Sequence, residues 1–172
     1  LWNTRKRLIA LPILAVSLIL LFLPARIPDI IIDETGKLFA LKTHHNTLAF
    51  STLTKARYAR NEWLEMNGLK QPVRLKDAMH DTTIDAQCDT VSCTYTTETY
   101  NITLFTDIPT PDRHNTACDR SDLVIMLVQD SSCATTPSIT LSDLQTYGTH
   151  VVHLEQAITV ERAAGPPKVI QQ

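Results

Sequence analysis

Residues 123–128 read Leu-Val-Ile-Met-Leu-Val, six apolar side chains in a row, and this stretch decides the fold. A continuous apolar run of this length is typical of a strand that is buried on both faces inside a sheet. On its C-terminal side, Ile139–Leu141 predicts a second, short strand. Ser142 then predicts the cap of a helical turn that ends at Gly148. The run therefore predicts a strand that is covered on both of its faces.

Alternating apolar and polar residues on both sides of this run predict several hairpins. Gly36 supplies the positive φ that the first of these turns requires, and Leu48–Leu53 adds a third strand to that hairpin. Gln71–Lys76 predicts a short strand, and Pro109–Arg120 is interpreted as a polar connector with at most one helical turn. The predicted hairpins are Ile30–Ile32 with Lys37–Lys42, Thr90–Thr96 with Tyr100–Thr106, and His150–Leu154 with Ala157–Glu161.

One amphipathic helix is predicted over Lys55–Asn67, with Thr54 as its N-cap and Gly68 after its end. Trp63 is the expected anchor in the core, and the other apolar positions of the helix are Tyr58, Ala59, Leu64 and Met66. The fold class that follows is α+β: a strand-rich single domain over residues 27–162, with a disordered tail over residues 163–172.

The four cysteines, Cys88, Cys93, Cys118 and Cys133, form two local pairs along the chain. Four cysteines allow three pairings, and the local pairing 88–93 and 118–133 is attractive because each pair brackets a turn-like stretch. Free buried thiols and a metal site are the alternatives, although neither pair has the close Cys-x-x-Cys spacing of a tetrahedral zinc site. Disulfides would place the domain in an oxidising compartment.

An apolar segment precedes the domain. Residues 8–23 are apolar except for Ser17, and the basic residues Arg5, Lys6 and Arg7 come before them. We expect residues 1–26 to form a transmembrane helix with its basic flank in the cytoplasm, so that the domain faces the other side. In a bacterium this arrangement places an inner-membrane anchor before a periplasmic domain. Because the chain begins with Leu1, we expect it to continue a longer polypeptide.

The sequence offers no recognisable catalytic constellation. Four glycines are too few for a phosphate-binding loop, and no Gly-x-Ser-x-Gly sequence occurs. His44 and His45 lie in a predicted turn, His150 and His153 point to opposite faces of a predicted strand, and His80 and His114 stand alone next to acidic residues. We therefore predict no catalytic residues, no metal ligands and no cofactor. The sequence does not favour an enzyme, although it leaves that question open.

The charge is distributed unevenly along the chain. Residues 27–80 hold eight basic and six acidic residues, a formal charge of +2, whereas residues 81–172 hold four and twelve, a formal charge of −8. Only the first half could face a polyanion such as DNA. The candidate contacts for DNA or for a partner are Lys55, Arg57, Arg60, Lys70, Arg74 and Lys76.

Several segments together carry a family resemblance. After the apolar helix the chain reads Ile-Pro-Asp-Ile-Ile-Ile-Asp-Glu-Thr-Gly-Lys-Leu-Phe-Ala-Leu over 27–41, then Tyr58–Leu64, Cys88 and Cys93, Ala117–Ile125, Cys133, and Tyr147–His150. This order resembles the C-terminal end of ComEC-type competence proteins in the alphaproteobacterial style, over most of residues 8–161. The two cysteine spacings beside the Asp122–Val128 strand are its most specific part.

The resemblance implies a polytopic inner-membrane protein that moves single-stranded DNA into the cytoplasm, ending in a degenerate metallo-β-lactamase-like domain. Where such a domain carries a His-His-Gly-Ser-like ligand segment after the buried strand, this chain has Gln129–Cys133, and the first strand pair lacks a His-x-His-x-Asp-His loop. The nuclease activity therefore does not carry over. The expected partners are the membrane, the rest of the channel chain, single-stranded DNA and a second copy of the chain.

Two other functions stay open at this point. The first is a membrane-anchored periplasmic interaction domain that is unrelated to DNA. The second is a hydrolase with an unrecognised site.

Overall fold

The computed structural model describes residues 27–166 and 168–170 of the chain. Twelve strands and four helices are formed in this part of the chain. The strands are β1 (Ile30–Ile32), β2 (Phe39–Lys42), β3 (Leu48–Phe50), β4 (Val73–Arg74), β5 (Ala86–Cys88), β6 (Ser92–Thr96), β7 (Asn101–Phe105), β8 (Leu123–Met126), β9 (Ser138–Ile139), β10 (His150–Leu154), β11 (Ile158–Arg162) and β12 (Lys168–Ile170). The helices are α1 (Arg57–Met66), α2 (Leu75–His80), α3 (Pro111–Arg120) and α4 (Leu141–Tyr147).

Seven strands form the first sheet, in the order β12-β11-β10-β1-β2-β3-β4. The predicted hairpins β1–β2 and β10–β11 are confirmed, and β3 continues the first of them as expected. Strand β1 also pairs antiparallel with β10, with Ile31 opposite Val151. Every neighbour pair is antiparallel except β3–β4, which is parallel. The first and last segments of the domain therefore meet in the middle of one sheet.

Five strands form the second sheet, in the order β5-β6-β7-β8-β9. The predicted hairpin β6–β7 is confirmed, whereas β7–β8 and β8–β9 are parallel pairs. All four residues of β8 are buried, as the apolar run predicts for a strand inside a sheet. The description of the fold as strand-rich α+β is confirmed by these two sheets with their four helices.

The main core lies between the two sheets. Ile30, Ile32 and Leu41 of the first sheet belong to the same buried cluster as Leu104 and Ile125 of the second. The alternate residues of the first sheet, such as Ile31 and Phe50, form a separate cluster with Trp63 and Leu64 of α1. A smaller cluster of Phe105, Val124 and Met126 lies on the other side of the second sheet, beside Ala117 of α3. The layers therefore follow the order α1, first sheet, second sheet, α3.

Helix α1 is shorter than predicted and begins at Arg57. Ala56, in the left-handed region at φ 45°, takes the N-cap position in place of Thr54 and makes no side-chain cap. Thr54 instead hydrogen-bonds Thr52, both through its hydroxyl (3.2 Å) and through its backbone N–H (3.4 Å). The predicted end is confirmed, because Gly68 adopts φ 65° and donates its N–H to the Glu65 carbonyl at 3.0 Å.

Two residues assigned to the buried face of α1 are exposed. Tyr58 is 83% exposed and Met66 is 72% exposed, whereas Trp63 is buried as predicted. The buried face is centred between Trp63 and Leu64, so Tyr58, about five residues earlier, lies roughly 170° around the helix from it. The apolar stripe of α1 is therefore narrower than its sequence indicates.

The polar segment Pro109–Arg120 forms a ten-residue helix, α3, and its interpretation as a connector is wrong. The Thr110 hydroxyl accepts a hydrogen bond from the Arg113 N–H at 3.5 Å, and Pro111 occupies the first turn, where its missing N–H costs nothing. Only Cys118 of this helix is buried. Capping and a fixed φ at Pro111, rather than an apolar stripe, mark its beginning.

Three further differences from the predicted elements concern an additional helix, a helix start and the C-terminal tail. Helix α2, which the sequence does not predict, directly follows β4 and buries Leu75 and Ala78. Helix α4 begins one residue before Ser142, because the Thr140 hydroxyl and the Asp143 carboxylate form a capping box, while its end at Gly148 agrees with the prediction. The disordered tail predicted over residues 163–172 is wrong for 168–170, which pair with β11 as β12.

Residues 1–26, where a transmembrane helix is predicted, lie outside the described residues. In the part of the chain that the structure describes, no helix has the length and the apolar character needed to cross a bilayer.

Candidate functional site

Two disulfides connect the cysteines in the local pairing. Cys88 bonds to Cys93 across the β5–β6 hairpin, where the two residues are register partners. Cys118 of α3 bonds to Cys133, which follows β8 after a six-residue segment, and no cysteine is left free. The prediction of two local disulfides is confirmed. Two disulfides in a domain of this size are typical of an oxidising, extracytoplasmic location.

His114 lies beside the second disulfide. It precedes Cys118 by four residues on α3, so both side chains project from the same helix face. Its Nδ1 is 3.8 Å from the Cys118 Sγ, and its Nε2 is 3.1 Å from the Ser131 Oγ. The imidazole ring also packs at a tilt against Phe105, with 6.3 Å between the ring centroids. His114 is therefore fixed on three sides rather than alone next to acidic residues, as its sequence neighbours indicate.

The donor atoms of His114, Cys118 and Cys133 all lie within 4.8 Å of one another. Among the described residues, this is the one group of three or more His, Cys, Asp or Glu side chains that comes close enough to hold a metal ion. In the disulfide form each sulfur is bonded to the other, so neither can serve as a thiolate ligand. The sequence signal for this group is the His-x-x-x-Cys spacing, which has meaning only once 111–120 is known to be helical.

A cleft of about 410 Å³ opens between α3 and the outer face of β6–β7. Its charged lining residues are Asp112, Arg113 and Arg120. Arg113 forms an ion pair with Asp89, which lies in the turn between the cysteines of the first disulfide. Hydrogen bonds from the backbone of Ser92, then from the Arg113 side chain and the backbone of Val91, lower the pKa of Asp89 to about 2. Arg113 is therefore engaged in the fold.

The six basic residues proposed to contact DNA or a partner do not share one face. Lys55 and Arg57 lie at the start of α1, on the outer side of the first sheet, while Lys76 belongs to α2, whose buried residues join the core between the sheets. Lys70 lies in the α1–β4 connection, and Arg74 lies on the edge strand β4. All of these are exposed.

Arg60 differs from the other five basic residues because it is half-buried. Its guanidinium donates to the Leu53 carbonyl and to the Asn61 Oδ1, the latter at 2.9 Å from Nη2. It therefore holds the start of α1 to the preceding loop, a structural role that its position on the polar face does not indicate.

The place where the resemblance implies metal ligands is formed by the β1–β2 turn and the segment after β8. These come into close contact: a Cβ added to Gly36 would lie 2.6 Å from the Leu127 carbonyl oxygen. The Asp33 carboxylate accepts hydrogen bonds from the Leu38 N–H at 2.8 Å and from the Thr35 hydroxyl at 2.5 Å. Asp130 accepts from the Ser142 N–H at 2.6 Å. Asp33 therefore stabilises the β1–β2 turn, and Asp130 holds the segment after β8 to the N-terminal end of α4.

The remaining histidines are dispersed. His44 lies 3.5 Å from Asp85, and His80 lies 3.3 Å from its neighbour Asp81, both at exposed positions. His150 and His153 lie on opposite faces of β10, as predicted, since His150 is fully buried and His153 is half-exposed. Burial lowers the pKa of His150 below its ordinary value, although a hydrogen bond with the Gly148 carbonyl, 2.8 Å from Nδ1, acts in the opposite direction.

Tyr95 joins the two sheets by one hydrogen bond. Its hydroxyl donates to the Lys42 carbonyl at 3.2 Å, from β6 of the second sheet to β2 of the first. Burial, with the charges of Asp29 and Asp85, raises the pKa of this hydroxyl well above its ordinary value, so it stays protonated as a donor.

Comparison with known proteins identifies no relative: no family model, no curated protein and no solved structure matches the chain significantly.

Proposed function

We propose that this chain is the C-terminal part of a ComEC-type DNA-uptake protein, with a non-catalytic periplasmic domain that assists the passage of DNA. The observation that carries the proposal is the arrangement around β8. The most specific part of the resemblance is the pair of cysteine spacings beside the Asp122–Val128 strand, and the second disulfide joins the helix before this strand to the segment after it. This part of the resemblance therefore corresponds to one structural unit.

The non-catalytic role rests on the residues at the contact between the β1–β2 turn and the segment after β8. A two-metal hydrolase needs imidazole and carboxylate ligands that converge on shared ions about 4 Å apart. Here Asp33 accepts a hydrogen bond from the Leu38 N–H in the β1–β2 turn, Asp130 accepts one from the Ser142 N–H at the start of α4, and Gln129–Cys133 supplies no histidine. These contacts are typical of a turn and a helix N-terminus and do not support a metal centre.

The finer role, contact with DNA, is assigned to the exposed members of the candidate set in the first half of the domain, which are Lys55, Arg57, Lys70, Arg74 and Lys76. A strand of DNA carries one phosphate charge per nucleotide, and each Lys or Arg that meets a phosphate releases a counterion. Lys55 and Arg57 are the best candidates because both are exposed and neither holds the fold together, unlike Arg60. The acidic second half of the domain would then face away from DNA.

The test is a pair of double charge reversals in a transformable host that carries the full-length protein. Lys55→Glu with Arg57→Glu removes the proposed contact, and Lys37→Glu with Arg120→Glu is the matched control at exposed basic residues outside it. DNA uptake should fall only in the first variant, with equal amounts of both proteins in the membrane. Equal uptake in the two variants would contradict the DNA role and favour an interaction domain unrelated to DNA.

A further inference from the structure

We infer that His114, Cys118 and Cys133 bind a single zinc-class ion when the Cys118–Cys133 bond is reduced. The disulfide and the metal are then alternative states of the same three side chains. The inference does not depend on the proposed role in DNA uptake, because it rests on the geometry of α3 and the segment after β8.

One pair of donor atoms already has nearly the spacing of a metal site. Zinc binds thiolate sulfur at about 2.3 Å and imidazole nitrogen at about 2.0–2.1 Å, so tetrahedral geometry places the two donors about 3.5 Å apart. The His114 Nδ1 lies 3.8 Å from the Cys118 Sγ. Once the S–S bond is broken, the Cys133 sulfur needs to move by only one to two ångströms, on the order of the difference between a covalent S–S bond and two sulfurs on one ion.

The orientation of the imidazole also favours ligation. A histidine ligand usually holds its second ring nitrogen in a hydrogen bond, which fixes the ring and its tautomer. In His114 the Nε2 is 3.1 Å from the Ser131 Oγ, and the Cys118 Sγ is almost equally far from both ring nitrogens, 3.8 Å from Nδ1 and 3.9 Å from Nε2. Because Ser131 engages Nε2, Nδ1 is the nitrogen available to a metal ion. Phe105 covers one side of the ring. Ser131 is therefore a positioning residue, and Nδ1 is the nitrogen assigned to the metal.

The chemical class of the ion follows from the donors. Two thiolates and one imidazole suit a borderline-soft divalent ion such as Zn²⁺, whose charge the two thiolates neutralise. Three protein ligands leave a fourth position for water, and Cys133 is half-exposed, which gives solvent access. Neither Cys88 nor Cys93 belongs to a comparable group among the described residues, so the two disulfides differ in this respect.

Conversion of the disulfide form into the zinc form takes two steps, thiol–disulfide exchange and metal binding. A dithiol reductant gives two electrons and two protons to the Cys118–Cys133 bond and becomes a disulfide itself, which leaves two thiols in the domain. Binding of Zn²⁺ then releases the thiol protons, and His114 binds in its neutral form. Oxidation of the two thiolates by a disulfide reverses the sequence and expels the ion.

The experiment uses the 172-residue chain in detergent, reduced with a phosphine, which takes up the oxygen of a water molecule and binds zinc weakly. The parent carries Cys88→Ser and Cys93→Ser, so only the second pair of thiols remains. We expect one Zn²⁺ per reduced parent chain by metal analysis, none in the oxidised parent, and none when Cys118→Ser and Cys133→Ser are combined. Co²⁺ in place of zinc should give the visible absorption of tetrahedral thiolate coordination.

Two histidine variants of the reduced parent identify the third ligand. His114→Ala should weaken zinc binding at least about tenfold, the loss that even an indirect partner of a ligand typically causes. His80→Ala removes an exposed imidazole elsewhere and should leave binding unchanged. Protection of the two thiols from alkylation by bound zinc gives a second readout, because it reports directly on Cys118 and Cys133.

Three outcomes would overturn the inference. They are the absence of zinc binding in the reduced parent, equal binding by the His114→Ala and His80→Ala variants, and equal binding when Cys118 and Cys133 are replaced in a chain that keeps Cys88 and Cys93.

Discussion

Helices α1 and α3 each cover the outer face of one sheet, but different forces hold them there. Helix α1 buries Trp63 and Leu64 against the first sheet, and Trp63 stacks on Phe50 with 6.4 Å between the ring centroids. Helix α3 buries only Cys118, the residue that is bonded to Cys133. The first outer layer is held by the burial of large side chains of its helix. The second is held by a disulfide, with a smaller apolar contact between Ala117 and the cluster of Phe105, Val124 and Met126.

The difference follows from the residues available on each side. A large aromatic side chain that leaves water contributes about 1.5–3 kcal/mol to stability. Helix α3 reads Pro-Asp-Arg-His-Asn-Thr-Ala-Cys-Asp-Arg and has no such side chain to bury. Both disulfides of the domain lie close to α3. One of them includes Cys118 of this helix, and the other includes Cys88, whose neighbour Asp89 forms the ion pair with Arg113 of α3. Disulfides lower the conformational entropy of the unfolded chain and so stabilise the folded state. A helix as polar as α3 can therefore stay packed on the sheet with little apolar burial of its own.

The largest effect is expected at the burial-held layer. Trp63→Ala should lower the free energy of unfolding by about 3–5 kcal/mol, because it leaves a cavity between α1 and the first sheet. Tyr58→Ala on the same helix is the control and should change stability by less than about 0.5 kcal/mol, since Tyr58 is 83% exposed. Urea unfolding, monitored by far-ultraviolet circular dichroism so that the signal comes from the backbone, measures both losses of stability. Similar losses at the two positions would contradict the assignment of the buried face.

The second effect is expected at the covalently held layer. Replacing Cys118 and Cys133 by alanine opens a cross-link with a sequence separation of 15 and should cost about 3 kcal/mol, mainly by freeing the unfolded chain. Chemical unfolding under non-reducing conditions measures the loss. Hydrogen exchange should show that the amides of α3 lose protection while those of α1 keep it. Loss of protection in both helices at once would mean that the two layers unfold as one unit.

The other disulfide should matter less. Cys88 and Cys93 are separated by only 5 in sequence, so the same chain-entropy relation gives about 2 kcal/mol for their replacement by alanine. The two double variants are compared in the same unfolding experiment. A larger loss for this pair than for Cys118 and Cys133 would show that the short hairpin bond contributes by something other than loop closure.

The smallest effect is a pH dependence of the free energy of unfolding, and it arises from His150 in the first sheet. The pKa of His150 is lowered from 6.5 in the folded chain, so the unfolded chain binds more protons just below that pH. The contribution of the neutral imidazole is complete above pH 6.5 and is lost as the pH falls towards the folded pKa, by at most about 1.4 kcal/mol per pH unit.

His150→Asn keeps an amide that can donate to the Gly148 carbonyl but does not titrate. Unfolding measured at pH 7.5 and 5.5 should therefore show a smaller difference for this variant. His153→Asn on the opposite face of β10 should keep the original difference. If His153 rather than His150 removed the dependence, the assignment to the buried imidazole would be wrong.

Local patterns predict most of the fold. The apolar run of β8 and the alternation in β6–β7 and β10–β11 each describe a segment that interacts with its neighbours along the chain. The parallel pairs β7–β8 and β8–β9 were not predicted, because they join segments separated by other elements. The close approach of Gly36 to Leu127 depends on the packing of two sheets, and no local pattern indicates it.

The group around His114 was missed for a related reason. The spacing of four residues between His114 and Cys118 places the two side chains on one face only if the segment is helical. The segment 111–120 is almost entirely polar, so its sequence does not indicate a helix. Thr110 before Pro111 was the available signal, since a hydroxyl at the N-cap followed by proline in the first turn marks a helix start without any apolar residue. The pairing of the cysteines needed no such information, because each pair is local in the chain.

The ends of the two sheets have a consequence for the solution behaviour of the domain. β12 and β4 close the first sheet and β5 and β9 close the second, and none of these strands is longer than three residues. Pro72 precedes β4 and Pro137 precedes β9, so neither strand can be extended there by a further backbone donor. Short borders of this kind give a neighbouring molecule little backbone to add onto. Crowded copies of the protein should therefore resist fibril growth by strand addition.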